Sequence, residues 1–122
     1  MAKNRRQQLG IWGERVAESH LVAKGFIILE RNIRTPYGEI DLLATSQGTL
    51  VFIEVKTRSS GTYGEPEASV TAKKQTHLLH SIQSFLQQHP EKEAEWRVDV
   101  IAIRGTPNQA NPQIVHFENA LS

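Results

Sequence analysis

Two stretches of the chain have the apolar pattern of buried β-strands but carry charged residues in their middle. They are Gly38–Ala44, which contains Glu39 and Asp41, and Leu50–Lys56, which contains Glu54. Because residues two apart in a strand share a face, two sets are expected to lie together: Glu39 with Asp41 and Leu43, and Phe52 with Glu54 and Lys56. An unpaired buried carboxylate costs several kcal/mol, so these acids need a compensating partner.

A short polar segment with a glycine, Thr45–Thr49, separates the stretches and predicts a hairpin loop. An even number of loop residues sets three pairs opposite each other: Asp41 with Glu54, Glu39 with Lys56, and Leu43 with Phe52. Opposite side chains project to the same side, with Cβ atoms about 4.5–5.5 Å apart. An odd-length loop would scatter the charged residues. In the even register two carboxylates and a lysine converge, and the carboxylates repel unless a cation lies between them.

The remaining pattern predicts two helices and three further strands. One helix is predicted over residues 5–24, and a second from near Ser69 or Thr71 to about His89. The strands are predicted at Phe26–Glu30, Trp96–Arg104 and Gln113–Phe117, with loops over residues 31–37 and 57–66. This order predicts one α/β domain over residues 1–122, a sandwich with a central mixed sheet of about five strands flanked by helices.

Three residues stand out within these elements. Gly10 and Gly13 lie inside the first helix, where each costs about 1 kcal/mol relative to alanine, which predicts the close approach of another backbone. Asp99 lies in the Trp96–Arg104 strand and is expected to pair with Arg97 or with a backbone donor.

Composition excludes several kinds of protein. The 122 residues include no cysteine, which rules out disulfides, thiolate nucleophiles and cysteine-ligated metal centres. The apolar runs are far shorter than the ~20 residues of a membrane span, and the basic N-terminus lacks the apolar segment of a signal peptide. No membrane association and a cytoplasmic location are therefore expected. A net charge of +1 is not the marked basic excess of strong nucleic-acid binders.

The converging charges suit one kind of chemistry. Hard divalent cations such as Mg²⁺ and Mn²⁺ prefer carboxylate, carbonyl and water oxygens, which Asp41, Glu54 and the Val55 carbonyl would supply. Lys56 would orient the attacking water or neutralise developing charge, as in the hydrolysis of a phosphodiester. The alternative is a structural salt bridge at a sheet edge, in which Lys56 pairs with Glu39 or Glu54. The pattern alone favours neither.

A family resemblance covers nearly the whole chain. Gly38–Ala44 followed by Ile53–Arg58 resembles the PD-(D/E)XK nuclease superfamily, and more closely the YraN-like family, whose members are regarded as endonucleases related to archaeal Holliday-junction resolvases. The likeness also includes Gly10, Gly13, Glu14, Ala17, Tyr63, Gly64, Pro66, Lys74, Gln75, Arg97–Ala102 and His116–Ala120. Ile40 stands where the superfamily has a proline, which leaves Asp41 in place.

The resemblance implies a restriction-endonuclease-like fold and a metal-dependent endonuclease acting on DNA selected by structure, such as branched or junction DNA. It implies Asp41, Glu54, Lys56 and Glu14 as catalytic residues, with Glu14 as a further metal ligand or water-positioning group and Glu39 as an accessory acid. The candidate nucleic-acid contacts are Arg58, Lys74, Arg34 and Tyr63. A homodimer is a candidate assembly, because resolvases act as dimers. The alternatives are a non-catalytic nucleic-acid-binding module of the same fold and a structural or adaptor domain.

Overall fold

The computed structural model describes residues 3–59, 72–92, 95–108 and 110–121. The elements, in chain order, are α1 (Arg5–Ala23), β1 (Ile27–Thr35), β2 (Gly38–Ser46), β3 (Thr49–Arg58), α2 (Ala72–Gln88), a 3₁₀ turn (Pro90–Lys92), β4 (Trp96–Arg104) and β5 (Gln113–Phe117). Within the described residues, no helix is long and apolar enough to cross a membrane.

The strands form one mixed sheet in the order β1-β2-β3-β4-β5. β3 and β4 are parallel, and the other neighbouring strands are antiparallel. α1 packs on one face of this sheet and α2 on the other. The predicted α/β sandwich is therefore confirmed, and it is consistent with a restriction-endonuclease-like architecture.

The core consists of two apolar layers, one on each face of the sheet. The layer under α1 contains Ala17, Leu21, Phe26, Leu42, Ala44, Val51, Ile53, Ile101 and Ile103. The layer under α2 contains Ile40, Leu43, Leu50, Phe52, Leu78, Ile82, Phe85 and Val98. Because both faces of β2, β3 and β4 are covered, these strands are rich in apolar residues on both sides.

The hairpin between β2 and β3 turns through Gln47 and Gly48, whose φ angles are 52° and 83°. Positive φ at both central residues gives the two-residue turn whose twist matches that of the flanking strands. The turn sets the even register, in which Leu43 faces Phe52. This part of the predicted register is confirmed.

Three strands are longer than predicted. β2 continues past Ala44 to Ser46, so that only Gln47 and Gly48 of the predicted loop remain in the turn. β1 continues from Glu30 to Thr35, because its backbone stays paired with β2 as far as Thr35 and Gly38. β3 continues through Thr57 and Arg58, which pair with β4. The predicted starts of the second helix, Ser69 and Thr71, lie outside the described residues, as does the predicted loop beyond residue 59.

Candidate active site

The sheet forks between β2 and β3. Pairing between these strands ends at Leu42 and Ile53; beyond that point β2 follows β1, while β3 follows β4. The prediction that Asp41 pairs with Glu54 and Glu39 with Lys56 is therefore wrong, because the β2–β3 ladder does not extend to these residues. The strands have already separated at these positions, and Glu39 pairs instead with Arg34 of β1.

The side chain of Asp41 lies in this fork. Its Oδ2 accepts a 2.8 Å hydrogen bond from the backbone N–H of Val55, a donor that a continued ladder would have paired with the β2 backbone. The carbonyl of Val55 points to the same side of the strand, because the N–H and C=O of one strand residue share a side. A carboxylate and a carbonyl oxygen are thus both directed into the fork.

The alternation of side chains along β2 breaks at Asp41. Ile40 and Leu43 both pack under α2, although they are three residues apart. Glu39 and Asp41 lie on the α1 side, so the prediction that Leu43 shares their face is wrong. The position across from Asp41 in β1 is Asn32, whose φ of 51° departs from the strand conformation as well.

Three carboxylates gather on the α1 side of the fork. Glu14, Glu39 and Asp41 each place one oxygen so that all three oxygens lie within 4.8 Å of one another. The amide Nδ2 of Asn32 donates to Glu14 Oε1 at 3.0 Å and to Glu39 Oε1 at 2.9 Å. The acids therefore come from two elements, α1 and β2, and β1 joins them.

Gly13 explains how Glu14 comes so close to the sheet. A Cβ on Gly13 would overlap the side chain of Thr57 in β3, so only glycine allows this approach of α1. The predicted close contact is confirmed here, although the neighbour is a side chain and not a backbone. At Gly10 the prediction is wrong, because a Cβ there would meet nothing within 4 Å.

Glu54 and Lys56 form an ion pair beside the fork. Their neighbours Ile53 and Val55 pack under α1, so the two charged residues leave β3 towards the α2 side. Lys56 Nζ lies 3.0 Å from Glu54 Oε1, with only 11% and 21% of the two side chains exposed. Glu54 also lines the cavity that contains Asp41, so the sheet does not separate the two carboxylates.

Helix α2 brings Lys74 to this ion pair. A hydrogen bond to Lys56 and the charge of Lys56 lower the pKa of Lys74, and the charge of Arg58 contributes further. Two predicted nucleic-acid contacts, Lys74 and Arg58, thus lie beside Lys56. Arg34 lies across from Glu39 on β1, and Tyr63 is outside the described residues.

A cavity of about 270 Å³ lies at the fork and is lined by three of the acids, Glu14, Asp41 and Glu54. Its lining consists of Arg6, Leu9, Gly10, Glu14, Asp41, Glu54, Val55 and Thr57. Arg6 and Asn32 are among the residues of this region that were not predicted. Arg6 belongs to a basic N-terminal cluster that has the pattern of ordinary surface, and Asn32 falls in a segment predicted as a connection. The available signal for Asn32 was its residue type, because asparagine tolerates left-handed backbone.

The acids of the site interact unfavourably with one another. Burial raises the pKa of Asp41 to about 8, and the charges of Glu54, Glu14 and Glu39 add to this rise, against the opposing hydrogen bond from Val55. A cation bound among these acids would relieve their repulsion. Carboxylate and carbonyl oxygens are the ligands that Mg²⁺ and Mn²⁺ prefer, so the donor set fits a hard divalent cation.

Asp99 has a structural environment away from the fork. It is fully buried and accepts hydrogen bonds from Arg97 Nε at 2.9 Å, His116 Nε2 at 2.8 Å and the Asn119 N–H at 3.0 Å. Burial acts to raise the pKa of Asp99, but these bonds outweigh it and the pKa is lowered. The predicted pairing with Arg97 is confirmed.

The sequence matches a known family over the segment that builds this site. The model described as "Uncharacterised protein family UPF0102" matches residues 13–103, which include Glu14, Asp41, Glu54 and Lys74. The chain belongs to the UPF0102 family. A UPF0102 protein of Syntrophotalea carbinolica is 41% identical over 115 residues, 94% of this chain and 92% of its own.

Other UPF0102 proteins align similarly. One from Chlorobium phaeobacteroides is 45% identical over 95 residues, 78% of this chain and 75% of its own. One from Dehalococcoides mccartyi is 37% identical over 121 residues, 99% of this chain and 98% of its own. The likeness to the Dehalococcoides relative thus extends over almost the full length of both chains.

Proposed function

We propose that this UPF0102 protein is a metal-dependent endonuclease of the PD-(D/E)XK type, which hydrolyses phosphodiester bonds of DNA in the cytoplasm. The observation that carries the proposal is the Asp41 carboxylate in the sheet fork, held by the Val55 N–H. Glu54 lines the same cavity, and Lys56 is paired with Glu54. These residue types, in this order, are those of the superfamily that the sequence resembles.

The proposed cation is Mg²⁺ or Mn²⁺. Asp41, Glu54 and the Val55 carbonyl would hold it, with Glu14 as an additional ligand and Glu39 as an accessory acid. A bound cation would supply an acidified water and would stabilise negative charge on the phosphate. The raised pKa of Asp41 supports this assignment, because it reflects a burial and repulsion that a cation would offset.

Lys56 would act on the substrate from the other side of the fork. Its ammonium group lies 3.0 Å from Glu54 and is largely buried, so it would place a fixed positive charge next to the attacked phosphate or orient the water. Lys74 and Arg58 lie beside it and would contact neighbouring phosphates. Phosphate contacts carry no sequence information, so we expect selection by DNA shape, as in branched or junction DNA.

One observation also fits a second function. The ion pair between Lys56 and Glu54 is what a structural salt bridge would give. A non-catalytic nucleic-acid-binding module or an adaptor domain would keep that pair without turnover.

The test is cleavage of a labelled panel of duplex, single-stranded, flap, four-way-junction and RNA substrates, each with EDTA, Mg²⁺ or Mn²⁺. Wild type is compared with Glu54→Gln and Lys56→Ala. The matched controls are Glu30→Gln on β1 and Lys73→Ala on α2, both exposed residues of the same charge. We expect metal-dependent cutting that both site variants lose and both controls keep.

Other outcomes would favour the alternatives. Binding without cutting, unchanged or tighter after Asp41→Asn, would support the binding module. Neither cutting nor binding, together with no effect of metal on stability, would support the adaptor domain. Sedimentation of the wild-type samples with and without DNA would test the homodimer, which would present two sites to two strands.

A further inference from the structure

Asn32 approaches the candidate site from an irregular position in β1. Its neighbours Arg31 and Ile33 lie on opposite faces: Arg31 pairs with Glu18 of α1, whereas Ile33 packs under α2. Residues two apart share a face in a regular strand, so the strand changes phase at Asn32. Its φ of 51° is a left-handed conformation that residues other than glycine seldom adopt. This backbone turns the Asn32 side chain towards α1.

The Asn32 amide spans two of the acids. Nδ2 donates to Glu14 Oε1 at 3.0 Å and to Glu39 Oε1 at 2.9 Å. An asparagine amide has two N–H donors, so these two bonds use its whole donor capacity. One side chain thereby fixes carboxylates that belong to different elements, α1 and β2.

The neutrality of this side chain matters as much as its position. A lysine or arginine between Glu14 and Glu39 would neutralise the acids and take the place of a cation. The amide of Asn32 holds them without adding charge. The carboxylates of Glu14 and Glu39 are therefore restrained in position without being neutralised by a protein cation.

We propose that Asn32 is a positioning residue for the divalent cation: it holds Glu14 and Glu39 within reach of Asp41 and so sets the affinity of the site. The inference rests on the proposed function, because it concerns the same cation. Loss of a residue that orients metal ligands typically weakens metal binding about 10–100-fold. We expect Asn32→Gly to weaken Mn²⁺ binding by at least about tenfold.

The experiment is calorimetric titration of the full chain with Mn²⁺, for the wild type, Asn32→Gly and Asn32→Ala. Glycine accepts the left-handed backbone without strain, so Asn32→Gly removes the amide alone, whereas Asn32→Ala adds backbone strain. Urea unfolding in EDTA reports the stability of each variant. A residue that only shaped the backbone would give an Asn32→Gly protein that binds Mn²⁺ like the wild type.

A double-mutant cycle with Glu39→Gln gives a readout that a purely structural role would not move. If Asn32 acts through Glu39, Asn32→Gly should weaken Mn²⁺ binding less in the Glu39→Gln background than in the wild type. Suppose that the wild type binds Mn²⁺. If Asn32→Gly then binds it with the same dissociation constant, or if the effects in the cycle are strictly additive, the inference is overturned and the proposed function stands. A wild type that does not bind Mn²⁺ would overturn both.

Discussion

Asp41 should make the metal-free protein less stable as the pH rises. Its pKa is raised to about 8 in the folded chain, whereas an unfolded aspartate titrates near about 3.9. Between these values the folded chain keeps a proton that the unfolded chain releases, so the free energy of unfolding falls with increasing pH. One proton changes the folding equilibrium tenfold per pH unit. The loss from pH 5 to pH 7 is therefore about hundredfold, roughly 3 kcal/mol, and it ends above the folded pKa.

The perturbation that tests this is Asp41→Asn. The amide cannot ionise, but its oxygen can still accept the hydrogen bond from the Val55 N–H. We expect urea unfolding in EDTA, followed by circular dichroism, to show that the variant lacks this component of the pH dependence. It should also be more stable than the wild type at pH 8. Glu30→Gln, an exposed acid on β1, should follow the wild type.

Comparison of wild type and variant cancels the titrating groups that do not interact with Asp41, such as His20. Burial and the charges of Lys24 and His116 lower the pKa of His20. This shift acts in the opposite direction to that of Asp41, because the free energy of unfolding rises as the pH increases and the unfolded chain loses its histidine proton. Mg²⁺ should compete with the Asp41 proton and restore stability at pH 8 in the wild type but not in Asp41→Asn. The same pH dependence in wild type and variant from pH 5 to pH 8 in EDTA would contradict a raised pKa of Asp41.

Three further predictions concern the surroundings of the fork and the core. Gly13→Ala should cost about 1–3 kcal/mol in urea unfolding, because its Cβ has no room, whereas Gly10→Ala should be neutral or stabilise by up to about 1 kcal/mol; equal effects would contradict the packing argument. Asp99→Asn should cost about 1–3 kcal/mol at pH 7, because one amide oxygen cannot accept all the hydrogen bonds that Arg97, His116 and the Asn119 N–H donate to the buried carboxylate. In the wild type, the stability due to this carboxylate should disappear as the pH falls below about 4, and an acid-unfolding curve shared with the variant would argue against it. Lys74→Ala should make the slope of log affinity for DNA against log salt less steep by about one, as measured by fluorescence anisotropy. Lys73→Ala should change the slope less. Identical slopes for the wild type and Lys74→Ala would remove Lys74 from the interface.

The elements that bury a face were predictable from local sequence. β4 and β5 have the predicted bounds, Trp96–Arg104 and Gln113–Phe117, because each is an apolar run followed or preceded by loop residues. β1 was predicted too short, since an edge strand leaves side chains such as Ile27 and Leu29 in water and has no strict alternation. The length of β1 is set by its pairing with β2, and the residue pattern of a single strand does not report that pairing.

The register of the hairpin was predicted only for an even-length loop, and the two-residue turn through Gln47 and Gly48 gives that register over the adjacent residues. The sequence did not predict where that register ends. The strands separate after Leu42 and Ile53, and the phase of β2 changes at Asp41, so Glu39 joins Glu14 and not Lys56. Both events depend on which neighbouring strand each half of β2 and β3 follows.

Three features could be read from local sequence: the order of elements, a hairpin between β2 and β3, and acids and a lysine in strands that are otherwise apolar. These follow from interactions between residues near each other in the chain. Two features depend on long-range contacts: Glu14 reaches the fork through the packing of Gly13 against Thr57, and Asn32 joins Glu14 to Glu39. Such contacts join residues far apart in sequence, and they form because α1 must bury its apolar side on the sheet.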